Sequence, residues 1–257
     1  LPSRLGPPVD LLIITTESMI SAYEKYARYK KLLGFNSTIK TMEWIRQNYQ
    51  GVDDAERIRN FIKDAVEKWG VGIVLLGNDV PDIPTRWVWV EYVMGSGPAH
   101  ITTDLYFSDL DGNWNADGDE RFCEVADSID LYPDVIVGRV PAHNPLGVIS
   151  YLEKIISYLF ERVSPPNSFE PYYKKALFVS SMFWSPNDSY YIARNLLSPL
   201  LPINFSRHFL NEVPKEYFLN AVQNEGYNLI TFLAHGDVNL MRIRTTPREF
   251  VTNNTFD

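Results

Sequence analysis

Residues 228–237 read NLITFLAHGD, and the reading of this stretch decides how the rest of the chain is understood. Leu229–Leu233 is an unbroken apolar run of strand length, closed by Ala234-His235-Gly236-Asp237. A strand that is apolar on both faces belongs to a parallel sheet covered by helices on each side. In such sheets the chemistry collects just beyond the carboxyl ends of the strands. A His at the last strand position, before a Gly that permits a sharp turn, reads as a candidate catalytic base. The competing reading is a hydrogen-bonded structural His, and the surrounding chain has to choose between them.

Upstream of this stretch the pattern alternates between strand and helix. A strand at 176–181, a helix at about 188–200, a strand at 203–209 and a helix at 214–224 lead into it. Before them, SPPNSFEP at 164–171 is the clearest linker in the chain. The first part has the same rhythm. DLLIITT at 10–16 reads as a buried strand, and a helix follows from Ser18 to the Gly34 stop. Residues 37–41 form a weaker strand. The strongest helix spans 53–69, with acids at its start, Gly70 at its end, and one apolar stripe through Ile58, Phe61, Ile62, Ala65, Val66 and Trp69. GIVLLGND at 72–79 and VIVGRV at 135–140 add two further strands, and Pro145 opens a last helix. The fold class is therefore α/β: two adjacent, doubly wound, mostly parallel subdomains at 1–164 and 165–257. The second is expected to be incomplete at its C-terminus, because an apolar strand at 229–235 calls for a neighbour on each side.

Composition narrows the function classes. A net charge of −8 argues against nucleic acid or an anionic membrane as the main partner. No apolar run reaches membrane-spanning length. Cys123 is the only cysteine, which rules out an internal disulfide framework and a Cys-based zinc site. The other histidines, His100, His143 and His208, do not stand at metal-ligand spacing from His235. The Gly pattern and Lys of a phosphate loop and the Gly-x-Ser-x-Gly of a serine hydrolase are both missing.

Residues 102–124, TTDLYFSDLDGNWNADGDERFCE, are different in kind. Counted from Asn113, oxygen-bearing side chains fall at places one, three and five (Asn113, Asn115, Asp117). Gly118 falls at six and Glu124 at twelve, the spacing of an EF-hand calcium loop. Asp109, Asp111 and Asp119 add acceptors. Carboxylates this dense repel one another unless a cation joins them, which predicts Ca²⁺; the alternative is a solvated acidic turn. No helix pair flanks the loop, so the expected role is structural rather than sensing.

Six motifs in order carry a family resemblance: LLIITT (11–16), DAERIRNFI (54–62) with Trp69-Gly70, VLLGNDVPDIPTR (74–86), TDLYFSDLDGNWNADGD (103–119), LYPDVIVGRVP (131–141) and LAHGD (233–237). Together they resemble the gingipain-type cysteine peptidases, which have a caspase-like fold. The resemblance implies a secreted or cell-surface cysteine endopeptidase acting on protein or peptide substrates, with calcium bound in several members. It places the catalytic His at His235, with Gly236 contributing an oxyanion N–H. It places the nucleophilic Cys at the end of the next parallel strand, C-terminal to Asp257, on a further segment or processed chain of the same protein. This chain alone is then expected to be inactive. Cys123 does not fill that role, since neighbouring carboxylates raise a thiol pKa. In the loop after strand 176–181, Trp184 and Asp188 are the candidate lining of the substrate pocket, with Asp188 equally suited to start the helix. The alternative function is a non-catalytic, calcium-stabilised pseudo-peptidase or interaction scaffold.

Overall fold

The computed structural model describes residues 8–93, 97–127, 129, 131–160, 172–181, 188–234, 236–237, 240–244 and 248–252. The chain divides into two compact units, Leu1–Ile156 and Ser157–Asp257.

The first unit is organised by β1 (Leu11–Thr15), whose five residues are all buried. Its side chains alternate across the sheet: Leu12 and Ile14 join one core, Leu11 and Ile13 the other. β2 (Ser37–Thr41) pairs with β1 on one side and β3 (Ile73–Leu76) on the other, both parallel, and β6 (Ile136–Arg139) pairs with β3. The order β2-β1-β3-β6 changes direction between β1 and β3. Helices α2 (Met42–Asn48) and α3 (Asp54–Trp69) supply the first core, and α1 (Ile20–Leu32) and α4 (Pro145–Phe160) the second. This is the doubly wound arrangement the periodicity predicts. The α3 stripe packs as its spacing requires: Ile58, Phe61, Ile62 and Ala65 are buried, and Val66 and Trp69 lean on the same core.

Two elements of this unit differ from the sequence expectation. The short helix α2 was hidden because its seven residues are too few for a periodic stripe. Residues 87–90, which alternate poorly, belong to a longer strand β4 (Arg86–Val93), paired antiparallel with β5 (Gly97–Thr103).

The start of α3 ties helix, hairpin and sheet edge together. Asp53 caps the helix, accepting from the Glu56 N–H at 2.8 Å, and takes two hydrogen bonds from Arg86 at 2.6 and 2.9 Å. Asp54 accepts from Arg46 at 2.9 Å and from Arg57 at 2.7 Å. Partial burial raises the Asp53 carboxyl, but Arg86 and the Glu56 N–H outweigh it and leave it low. The Arg46 hydrogen bond holds Asp54 low as well. A carboxyl depressed on folding contributes stability above its unfolded pKa, and that contribution disappears as pH falls through the folded value. Thermal stability is therefore expected to fall as pH drops from about 5 towards 3. Asp54→Asn flattens that loss in a melting-temperature series, and an identical slope in the variant would rule out this pair as a contributor.

The second unit repeats the design. β7 (Lys175–Ser180) is buried at all six positions, flanked by parallel β8 (Ser206–Asn211) and β9 (Leu229–Leu233) in the order β8-β7-β9. Leu177 and Val179 point into a core with Phe218 and Ala221, while Ala176 and Phe178 point into one with Ala193. The helix expected at 188–200 is composite: α5 (Asp188–Tyr191), then a π-helical stretch Ile192–Leu197 and a 3₁₀ turn Ser198–Leu200. α6 (Lys215–Asn220) likewise runs into a π-helical stretch, Ala221–Glu225. Beyond β9, β10 (Gly236–Asp237), β11 (Leu240–Arg244) and β12 (Glu249–Thr252) form an antiparallel sheet.

Candidate functional site

The strand order of the second unit singles out the gap between β7 and β9. The chain leaves β7 towards β8 on one side and returns to β9 on the other, so the connections diverge at the carboxyl ends of β7 and β9. Open α/β sheets bind ligands at such a switch point. The backbone there is closely tied: the Ser181 N–H donates to the Leu233 carbonyl at 3.0 Å, and the Glu212 N–H to the Ser180 carbonyl at 3.0 Å. Ser181 is fully buried, its carbonyl accepts from the Ser189 hydroxyl at 2.6 Å, and Ser180 Oγ donates to Asn211 Oδ1 at 2.8 Å. These bonds tie the carboxyl ends of β7, β8 and β9 to one another.

The candidate residues distribute around this edge. His235 and Trp184 lie outside the described residues. Gly236 opens β10 and pairs with Met241, so the chain turns out of the parallel sheet within three residues of the end of β9. Asp188 is the first residue of α5; its Oδ1 accepts from the Ser189 N–H at 2.8 Å, a role at the start of a helix. Asp237 is the second residue of β10.

One expectation is corrected here. The apolar run at 229–233 predicts a strand buried on both sides. Instead, β9 is the outer strand of the described sheet; Leu229 is 38% exposed and the other four residues are half-buried. Its neighbour β7, with a strand on each side, is buried throughout. An apolar strand without an outer partner keeps its side chains and one row of backbone groups partly open.

The acidic loop of the first unit does not close into one ring. Asp117, Asp119 and Glu124 bring carboxylate oxygens within 4.8 Å of one another, and Asp109 and Asp111 do so with Asp134. Asn113 Oδ1 accepts from the Asn115 N–H at 3.3 Å. Asn115 Nδ2 donates to the Asp119 carbonyl at 2.9 Å, and its Oδ1 is buried without a hydrogen-bond partner. Three residues the spacing argument missed hold the loop. Asp127 is fully buried and accepts from the Ala116 N–H at 2.7 Å and the Glu124 N–H at 2.9 Å. Asp134 accepts from the Leu110 N–H at 2.6 Å. Arg59, on the buried side of α3, donates to the Asp109 carbonyl at 3.1 and 2.7 Å and to the Gly112 carbonyl at 2.7 Å. A signal was present for Arg59: it stands four residues after Ala55 and three before Ile62, at the edge of the apolar stripe, where an arginine needs buried acceptors.

Two features of the loop suit a cation. Asp109 is fully buried, yet its Oδ2 has no hydrogen-bond partner. Loss of solvent, followed by the carboxylates of Asp119 and Asp117, pushes Glu124 upward, the mark of crowded negative charge. Space is tight: a Cβ on Gly112 would stand 2.7 and 2.8 Å from the Asp109 carboxylate oxygens. Cys123 sits in the same loop, half-buried with φ of 72°, and burial, then Asp127 and Asp109, raise its thiol pKa. That is the reverse of an activated nucleophile.

Two doubly wound parallel units, the second with His-Gly just beyond a strand at its switch point, define a caspase-like α/β fold. The chain belongs to peptidase family C25, whose family profile matches residues 4–256. Among solved structures it is similar to the Arg-specific cysteine proteinase gingipain R, with 19% identity and a TM-score of 0.58 over 93% of this chain and 50% of that one. The complex of Porphyromonas gingivalis RgpB pro- and mature domains gives 18% identity and 0.58 over 91% and 50%. A structure described as a protease gives 16% identity and 0.63 over 97% and 49%. At these identities the likeness concerns the fold. No curated protein sequence matches the chain. The chain spans about half the length of these solved relatives.

Proposed function

We propose that this chain is the His-bearing part of a gingipain-type cysteine endopeptidase, with the nucleophilic Cys supplied by sequence C-terminal to Asp257. The observation that carries this reading is the position of β9. It is an apolar parallel strand at the switch point of a C25-family sheet, followed at once by Ala234-His235-Gly236, and its outer edge is open among the described residues. A further parallel strand would cover that edge and deliver a side chain beside position 235.

In this mechanism His235 takes the thiol proton and holds the thiolate as an ion pair. The thiolate attacks the scissile carbonyl, and the imidazolium then protonates the departing amine. The Gly236 N–H, with the N–H of the nucleophile, stabilises the tetrahedral oxyanion. Trp184 and Asp188, which follow β7 in the sequence, would line the substrate pocket, Asp188 from the first turn of α5. The decisive experiment is peptide hydrolysis by the natural protein with the sequence following Asp257 retained, before and after iodoacetamide. Loss of hydrolysis on alkylation supports the reading; hydrolysis that survives full alkylation overturns it.

The acidic loop supplies the second part of the proposal, structural Ca²⁺ in a secreted or cell-surface protein. Among the described residues no helix is long and apolar enough to cross a membrane. Asp109, Asp111 and Asp134 would hold one ion and Asp117, Asp119 and Glu124 another, with Asn113 and Asn115 adjacent in sequence, and the ions would contribute charge neutralisation and no step of the chemistry. Chelation with EGTA is expected to lower the stability of the chain by about 2–4 kcal/mol, read as a fall in melting temperature that added Ca²⁺ reverses. An unchanged melting curve across EGTA and millimolar Ca²⁺ would remove calcium from the account.

A second reading, a calcium-stabilised pseudo-peptidase or interaction scaffold, draws on Cys123. The only thiol in the sequence lies in the acidic loop, where burial, then Asp127 and Asp109, raise its pKa. The alkylation experiment separates the two readings.

A further inference from the structure

The carboxyl edge of the first unit's sheet carries an open pocket of about 620 Å³. Asp53 and Asp54 at the start of α3, Arg86 and Trp87 on β4, and Glu120 and Phe122 from the acidic loop contribute to its wall. It is built from first-unit residues alone, and nothing in the peptidase mechanism uses it.

Guanidinium groups at this corner follow one rule. Arg86 is bound to Asp53 at 2.6 and 2.9 Å and stacked on Phe122, with its central carbon 4.1 Å from the ring centre. Arg57 is bound to Asp54 at 2.7 Å. Arg121 stands 3.8 Å from Glu124 and 4.7 Å over the ring of Trp89. Each arginine therefore has a carboxylate partner, Asp54 being shared with Arg46, and two of the three also lie on an aromatic face. One carboxylate and one aromatic face in the pocket wall are left over. Glu120 is exposed and Trp87 is 58% exposed, and neither side chain has a hydrogen-bond, ion-pair or ring partner among the described residues. β4 gives Trp87 and Trp89 the same side of the hairpin, two residues apart, so Trp87 repeats the platform on which Arg121 already rests. Asp53 and Asp54 are engaged by Arg86, Arg57 and Arg46, so among the described residues Glu120 is the one carboxylate of the wall with no cation bound to it.

We propose that this pocket is a docking site for an arginine side chain of a partner polypeptide, its guanidinium laid on Trp87 and paired with Glu120. The partner is cationic, which suits a chain of net charge −8. The docking is non-covalent and independent of peptide hydrolysis.

The test is an anisotropy titration of the 257-residue chain with a fluorescein-labelled heptapeptide carrying one central arginine. Its twin carries citrulline, which keeps the shape and removes the charge. The arginine peptide is expected to bind about tenfold tighter than the citrulline peptide. Trp87→Ala and Glu120→Gln each weaken arginine-peptide binding about three- to fivefold, leave citrulline-peptide binding unchanged, and together erase the preference. Glu17→Gln, an exposed acid outside the pocket, leaves both affinities unchanged. Equal affinity for the two peptides overturns the proposal. So does wild-type binding by the double variant, or equal weakening by Glu17→Gln, which would mark the attraction as net charge alone. The readout is equilibrium binding, so failure of the peptidase reading leaves it intact, and the converse holds.

Discussion

His235→Ala, made in the protein with its downstream segment retained, is expected to lower kcat/KM for peptide hydrolysis by about 10³- to 10⁴-fold. The imidazole is asked to do two things in one cycle. It must raise the thiolate fraction of a group that is mostly protonated at neutral pH, and it must hand a proton to an amine that cannot leave as an anion. Alanine removes both, whereas the oxyanion donors remain and sustain a small residual rate. The alkylation rate of the nucleophile provides a second readout. With His235 present, iodoacetamide reacts at a rate set by the ion pair and nearly flat across neutral pH. In His235→Ala the rate falls and climbs with pH towards the ordinary thiol pKa of about 8.5. A merely structural His would leave that profile unmoved, so an unchanged profile together with retained hydrolysis would sink the assignment.

The strands that set the fold were readable because burial on both faces leaves a plain mark. DLLIITT and GIVLLGND appear as β1 and β3, at the centre of their sheet. β9 has the same mark but sits at the edge of the described sheet. An apolar run reports the environment a strand is made for, not which described strands flank it, which is why 229–233 reads as central. The acidic loop failed in a different way. Spacing along the chain can show which oxygens are available, but the grouping depends on how the loop folds back. Asp134 enters one cluster from just before β6, beyond any twelve-residue window, and Asn113 Oδ1 accepts from the Asn115 N–H. The π-helical stretches after α5 and α6 left no sequence signal, because their residues keep ordinary helical composition.

Arg59→Ala is expected to destabilise the first unit by about 3–5 kcal/mol in urea or thermal unfolding. Arg59 is 7% exposed, and its guanidinium satisfies the Asp109 and Gly112 carbonyls while lying 4.9 Å over the Tyr106 ring. Its Nη2 is also 3.8 Å from Oδ1 of the fully buried Asp109. Burial lowers the arginine's own pKa, a sign of how much solvation it has given up to sit there. Alanine leaves two buried carbonyls with a donor lost, a buried aspartate without its counter-charge, and a void beside Tyr106. Arg59→Met separates these contributions: it restores the packing of the stem but not the donors or the charge, and is expected to recover less than half of the loss. Calcium provides the sharper discrimination. If Asp109 is a ligand, saturating Ca²⁺ supplies the missing positive charge and reduces the Arg59→Ala penalty, whereas EGTA exposes it in full. A penalty under about 1 kcal/mol would show that Arg59 is not what holds the loop to α3.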